Sequence, residues 1–212
     1  MSTALQPSLF ESLDQEPAYG DVAGRARRTR LAHGAWVDHL PEWLGGADQL
    51  FAALVDAVPW KAERRQMYDR VVDVPRLLKF YGEGEELPHP LLAEGRFRLN
   101  EHYAAELGEP FVTSGLCYYR DGRDSVAWHG DRIGRGRSED TMVAILSLGE
   151  SRKLLLRPNG GGVGRTIGFS LGHGDLLVMG GSCQRTWEHA VPKSARPCGP
   201  RISVQYRPRA VL

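Results

Sequence analysis

A chain of 212 residues, 42% hydrophobic and 25% charged, has the size and composition of one globular domain with a short extension. A formal charge of +1 decides nothing about partners, and the lack of any run of eighteen apolar residues argues against a transmembrane helix. Three cysteines (Cys117, Cys183 and Cys198) are too few and too odd for a disulfide framework, and Met1–Phe10 lacks the basic start and apolar stretch of a secretory signal, so a reducing cytoplasm is expected.

In chain order, the segment through Gly34 reads as irregular and punctuated by Pro and Gly. It carries a cluster of Arg25, Arg27, Arg28 and Arg30, either a phosphate-binding surface or solvated loop arginines. An amphipathic helix is expected after Gly45–Gly46, burying Leu50, Phe51, Leu54, Val55 and Val58 and stopping at Pro59. Val71–Tyr81 is rich in branched and aromatic residues, and Pro75 should hold its part extended or at an edge. A second helix is expected over Pro90–Leu107, with Leu91, Leu92, Phe97, Leu99, Tyr103 and Leu107 as core candidates and Gly108 as its stop.

Beyond residue 110 the pattern changes to eight short apolar runs separated by turn residues. They are Phe111–Tyr119, Ser125–His129, Thr141–Leu148, Lys153–Arg157, Thr166–Leu171, Asp175–Met179, Gln184–Val191 and Ile202–Tyr206. Even spacing with Gly- and Asp-rich breaks predicts a β-sandwich, jelly roll or barrel, with the N-terminal α elements buttressing it. The expected division is an extension and buttressing helix over 1–70 and a mainly β domain over 71–212.

The chemistry concentrates in Trp128-His129-Gly130-Asp131. Residues i and i+2 of a strand share a face, so His129 and Asp131 can aim at one point. A second histidine from another strand, for which His189 is the candidate, would complete a two-His-one-carboxylate set that leaves three positions of a divalent metal open. A single His-x-Asp is weak evidence, and this chain has a second, His173-Gly174-Asp175. That one lies between glycines at a turn, where Asp175 is expected to bond its own turn backbone. His189 alone also reads as a core histidine on a backbone carbonyl. In Pro200–Arg207, the even spacing of Arg201 and Arg207 puts both on one strand face, with Ile202, Val204 and Tyr206 on the other. Buried arginines demand anions, and a dicarboxylate suits a pair of guanidiniums; an edge strand with both arginines in solvent is the alternative.

The order of these segments resembles the AlkB family of nucleic-acid dealkylating dioxygenases over roughly residues 75 to 208. The resemblance is carried by Pro75-Arg76, Tyr81-Gly82, Tyr119-Arg120, Asp124-Ser125-Val126, Trp128-His129, Gly174-Asp175-Leu176-Leu177, the run from Gln184 to Lys193, and Pro200-Arg201-Ile202 with Arg207. It implies a double-stranded β-helix (jelly-roll) core with a nucleotide-recognition lid. It further implies Fe(II) on His129, Asp131 and His189, O2 as oxidant, and 2-oxoglutarate held by Arg201, Arg207 and the Tyr119 hydroxyl. The family usually has asparagine where this chain has Cys117 and Ser203, and many members follow the metal-binding aspartate with an acidic pair where this chain has Arg132 and Ile133. The implied activity is oxidative demethylation of N-alkylated bases in DNA or RNA by a monomer with no membrane or obligate protein partner. Trp128, Tyr81 or Trp60 would stack on the base, and Arg76, Arg132, Arg135 and Arg137 would line the substrate site. The rivals are a 2-oxoglutarate-dependent hydroxylase of a small molecule or protein, and a non-catalytic nucleic-acid-binding β-barrel.

Overall fold

A strand that is apolar at nearly every position, such as Val143–Gly149, must be covered on both faces. The computed structural model, which describes residues 16–67, 70–131, 134–161 and 166–211, supplies both covers. Its strands are β1 (Ala18–Tyr19), β2 (Arg27–Arg30), β3 (Trp36–Leu40), β4 (Leu44–Gly45), β5 (Lys61–Met67), β6 (Arg70–Tyr81) and β7 (Thr113–Tyr119). There follow β8 (Val126–His129), β9 (Val143–Gly149), β10 (Arg152–Pro158), β11 (Ile167–Leu171), β12 (Asp175–Gly180), β13 (Trp187–Val191) and β14 (Arg201–Arg207). The helices are α1 (Asp48–Ala57), α2 (Pro90–Leu107) and the single turn α3 (Cys183–Thr186).

An eight-stranded sheet in the order β2-β3-β12-β9-β14-β7-β6-β5 faces a four-stranded sheet in the order β11-β10-β13-β8, and the paired strands are antiparallel. This is the jelly-roll architecture expected from the sequence. Period-two alternation divides the large sheet between two cores. Ala144, Leu146 and Leu148 of β9, Leu176 and Val178 of β12, and Ile202, Val204 and Tyr206 of β14 meet the helices. Val143, Ile145, Leu177 and Met179 point the other way, toward Leu154, Leu156 and Trp187 of the small sheet. On β14 that second face carries Arg201, Ser203, Gln205 and Arg207.

The helices close the outer core for local reasons. In α1, Leu50 and Leu54 lie one turn apart and are fully buried, and Pro59 prevents continuation past Val58. His89 caps α2 by accepting from the Leu91 N–H, Pro90 opens its first turn, and Gly108 ends it at φ 69°. Leu92, Leu99 and Tyr103 are buried as expected, whereas Phe97 is 63% exposed, because it lies off the stripe that those three define.

Two other readings change. The segment through Gly34 is not irregular throughout: Arg27–Arg30 form β2, which with β3 extends the large sheet beyond β12, recruited by tertiary pairing that local sequence does not encode. Gln184–Thr186 form a helical turn, not strand, before β13 begins. Pro75 is extended within β6, as expected, and is tolerated there because the register to β5 shifts between Ala62 and Arg64 and pairing to β7 starts only at Leu77. Among the described residues no helix is long and apolar enough to cross a membrane.

Candidate metal centre

Strand β8 ends at His129, and its partner β13 places His189 directly opposite before the register shifts. Cross-strand pairing therefore brings together two imidazoles that are far apart in sequence, with ring centroids 4.2 Å apart. Asp131, two residues on, turns to the same point. One ligand atom from each of His129, Asp131 and His189 lies within 4.8 Å of the others, the one such cluster among the described residues.

The protonation states suit a metal. His129 Nδ1 lies 2.9 Å from the Ala127 carbonyl. A carbonyl can only accept, so Nδ1 carries the hydrogen and the Nε2 lone pair is left free, 3.8 Å from Asp131 Oδ1. Burial pushes His189 down to about 3, and His129 adds to that, so its ring is neutral at physiological pH. Burial alone would raise Asp131, but the Arg207 guanidinium and both imidazoles outweigh it and hold the carboxyl at about 2. The set offers one carboxylate and two imidazoles, of which Asp131 and His189 are buried and His129 is partly exposed, and this donor set fits Fe(II) with positions left for other ligands.

Several groups fix Asp131. Its N–H donates to Gln184 Oε1 at 3.1 Å, tying the ligand loop to the turn that feeds β13. Arg207 Nε donates to Asp131 Oδ2 at 2.9 Å. The following loop packs so closely that a Cβ on Gly136 would lie 2.1 Å from the Asp131 carbonyl oxygen.

Beside the triad, paired β7 and β14 present one polar face, with Arg201 opposite Tyr119 and Ser203 opposite Cys117. Arg201 is 2% exposed. Its Nε donates to Ser147 Oγ at 2.9 Å, and its Nη1 is buried without a partner. A buried cation with an unfilled donor calls for an anion. Burial pushes the Tyr119 hydroxyl up to about 12, with the Cys117 thiol adding to the shift, so it stays protonated as a donor. The chemistry of this face suits a dicarboxylate such as 2-oxoglutarate, since Arg201 Nη1 is a free cationic donor there, and Arg207 joins the same face to the metal ligand.

The residues expected at the substrate are less gathered. Strand alternation puts Trp128 on the face opposite His129, beneath Arg157 (4.2 Å, cation–π), which pairs with Glu188. Tyr81 is buried in the core on the helix side, and Trp60 packs against Tyr118 there. Arg76 donates to the Ser125 carbonyl and its charge acts on Tyr119, at the co-substrate end. Arg135 is ion-paired to Glu109 and Glu139, while Arg137 is exposed on the same short turn. Arg132 lies outside the described residues.

The second His-x-Asp is structural. Asp175 accepts from the N–H groups of Gly172 (2.7 Å) and Glu42 (2.9 Å), and the Gly149 N–H donates to His173 Nδ1. Sequence reasoning missed Gln184, Ser147 and Gln205. Only Gln205 carried a readable signal, since it alternates with Arg201, Ser203 and Arg207. It also missed Arg152, 5% exposed, which donates to the carbonyls of Asp121, Asp124 and Pro192 and lies 5.6 Å from the Tyr119 ring.

Residues 108–207 match the model of the 2OG-Fe(II) oxygenase superfamily. The chain is 33% identical over 181 residues to the alpha-ketoglutarate-dependent dioxygenase alkB homolog 3 of Homo sapiens, covering 76% of this chain and 61% of that protein. The Bos taurus counterpart is 34% identical with the same coverage. The DNA oxidative demethylase ALKBH2 of Homo sapiens is 26% identical over 179 residues, 76% of this chain and 68% of the relative. The chain thus spans about 61% of the length of the alkB homolog 3 proteins. His129, Asp131, His189, Arg201 and Arg207 all lie within the matched stretch, and the chain is similar to the AlkB-like 2OG-Fe(II) oxygenases.

Proposed function

We propose that the protein oxidatively demethylates N-alkylated bases in DNA or RNA. The observation that carries this is the juxtaposition of a two-His-one-carboxylate set, in which Asp131 and His189 are buried, with Arg201, whose Nη1 is buried and unpaired. The relatives named as alkB homolog 3 and DNA oxidative demethylase support the choice of reaction.

His129, Asp131 and His189 would hold Fe(II). When bound, iron with O2 and 2-oxoglutarate supplies an oxidation that hydroxylates the alkyl carbon on a base nitrogen and turns the co-substrate into succinate and CO2. The hydroxylated product then loses formaldehyde and the base is restored. The protein contributes position. Arg201 anchors the far carboxylate through a fork of donors, Tyr119 keeps its proton to donate, and Arg207 holds Asp131 while facing the same pocket.

A base must leave its stack to reach this centre. The small sheet ends at β8, so the face of β6 opposite Tyr81 is left uncovered on the metal side. Phe80 lies on that face, across from Gly115, and is 45% exposed. It is the aromatic we assign to the incoming base, in place of Trp128, Tyr81 or Trp60. The reading takes the protein as a monomer acting on nucleic acid in the cytoplasm, with no obligate protein partner; the three free cysteines suit a reducing compartment.

One sequence feature favours a second reading, hydroxylation of a small molecule or a protein side chain: Arg132 and Ile133 follow Asp131, where a carboxylate pair would suit a cationic alkylated base. Incubating iron-loaded protein with 2-oxoglutarate and methylated single- and double-stranded oligonucleotides separates the two. Formaldehyde and succinate in equal amounts are expected. Oligonucleotide-independent succinate with no formaldehyde from any substrate would move the assignment to the second reading.

A further inference from the structure

The shared face of β7 and β14 carries Thr113, Gly115, Cys117 and Tyr119 on one strand and Arg201, Ser203, Gln205 and Arg207 on the other. Gln205 is the only carboxamide among them, and it sits at the junction of both halves of the site. Its Nε2 lies 3.4 Å from Cys117 Sγ and 3.2 Å from Ser203 Oγ, and its Oε1 accepts from Arg207 Nη2 at 2.8 Å. Arg207 in turn donates to the metal ligand Asp131. An unbroken chain of polar contacts therefore runs from the co-substrate face to the metal ligand through one side chain.

The space that this side chain uses is built into β7. A Cβ on Gly115 would lie 2.8 Å from Arg207 Nη1 and 3.4 Å from Gln205 Oε1, so a side chain there would displace the Arg207 guanidinium and press against the Gln205 amide. The two ends of the Gln205 amide are held very differently. Oε1 is fixed by a cationic donor, which sets which end of the amide points where. Nε2 rests on a thiol, a weak acceptor, and on a hydroxyl that can rotate away. A carboxylate or ketone oxygen entering the pocket is a far better acceptor than either.

We propose that Gln205 supplies the amide donor of the 2-oxoglutarate site, reaching in from β14 to do at Cys117 what the thiol cannot. The inference rests on the reading of this pocket as the 2-oxoglutarate site. Arg207 acts as its positioning residue, and Gly115 keeps the space open. Cys117 and Ser203 then serve as a resting place for the donor while the pocket holds no co-substrate.

The test is 2-oxoglutarate binding, measured by calorimetry on Mn(II)-loaded protein without oxygen, so that the readout is independent of turnover. Gln205→Leu is expected to weaken binding about tenfold or more, the usual consequence of removing a hydrogen bond to a charged group. It should raise KM for 2-oxoglutarate by a larger factor than it lowers kcat. Adding Cys117→Asn to that variant puts an amide back from the other strand and should recover most of the loss, whereas Cys117→Asn in the otherwise unchanged protein should change binding less than about threefold. Gln205→Met, of matching length and without an amide, stands in if the leucine variant folds poorly. Binding by both Gln205 variants within twofold of the parent overturns the proposal. So does a Cys117→Asn effect that is the same with and without Gln205, since a redundant donor must show coupling. Failure of the parent itself to bind 2-oxoglutarate would instead overturn the reading of the pocket.

Discussion

Replacing Arg201 by methionine should separate binding from stability, because the two change in opposite directions. The guanidinium is 2% exposed, bonded through Nε to Ser147, and unpartnered at Nη1. A buried unsatisfied donor costs about 1–3 kcal/mol, and the bond to Ser147 returns about 1 kcal/mol. Methionine fills similar space without a charge, so the protein without co-substrate should be unchanged or stabilised by up to about 2 kcal/mol. At about 2–4 °C per kcal/mol for a chain of this size, Tm should rise by at most about 8 °C. With co-substrate the sign reverses. Two charge-assisted hydrogen bonds are lost at about 1.5–3 kcal/mol each, which weakens 2-oxoglutarate binding at least about 100-fold. Thermal melts followed by circular dichroism on Mn(II)-loaded protein, with and without saturating 2-oxoglutarate, read both effects. The parent should gain Tm from the ligand and the variant should not. A variant that melts well below the parent without ligand, yet binds 2-oxoglutarate within fivefold of it, refutes the reasoning: Arg201 would then be a structural cation satisfied by the fold.

Other consequences can be measured directly. His189 is held near 3 in the folded protein against 6.5 when exposed, so below pH 6.5 the unfolded chain takes up the proton first. Stability of the metal-free protein is therefore full above pH 6.5 and falls toward pH 3 with a limiting slope of about 1.4 kcal/mol per pH unit. The depressed Asp131 carboxyl adds a further loss between its ordinary 3.8 and about 2. Urea midpoints between pH 7.5 and 4.5 should show the histidine slope in the parent and lose it in His189→Asn; equal slopes in both would rule it out. Gly136→Ala forces a Cβ to within 2.1 Å of the Asp131 carbonyl and should weaken Mn(II) binding about 10–100-fold with the β content unchanged, as read by electron paramagnetic resonance and circular dichroism. Asp175→Ala frees two backbone N–H groups and should cost about 1–3 kcal/mol in urea unfolding while metal stoichiometry stays at one; loss of the metal would make the second His-x-Asp part of the centre.

Much of the fold is legible because its elements obey short-range rules. Gly45–Gly46, Pro59, Pro90 and Gly108 bracket both long helices, and the apolar runs after residue 110 mark the β14 alternation that sends Ile202 inward to one core and Arg201 to the other. Cap chemistry and period-two patterning need no tertiary partner to be read. Strand β2 escaped because Arg27–Arg30 has no apolar face; the segment is a strand because β3, itself paired to β12, offers it pairing. Trp128 and Tyr81 were expected at the base by resemblance, yet one strand position reverses the face of a side chain.

The sequence by itself determined the donor types, namely two histidines, one aspartate and two arginines on one strand face. It also showed that Asp175, between glycines, belongs to a turn. Only the tertiary structure decided that β13 sets His189 opposite His129, that burial keeps one imidazole neutral and Arg207 keeps Asp131 ionised, and that Gln205 stands between the two halves of the site. The reason is physical. Residue type and strand period are local properties, whereas cross-strand register and desolvation exist only once distant segments have packed together.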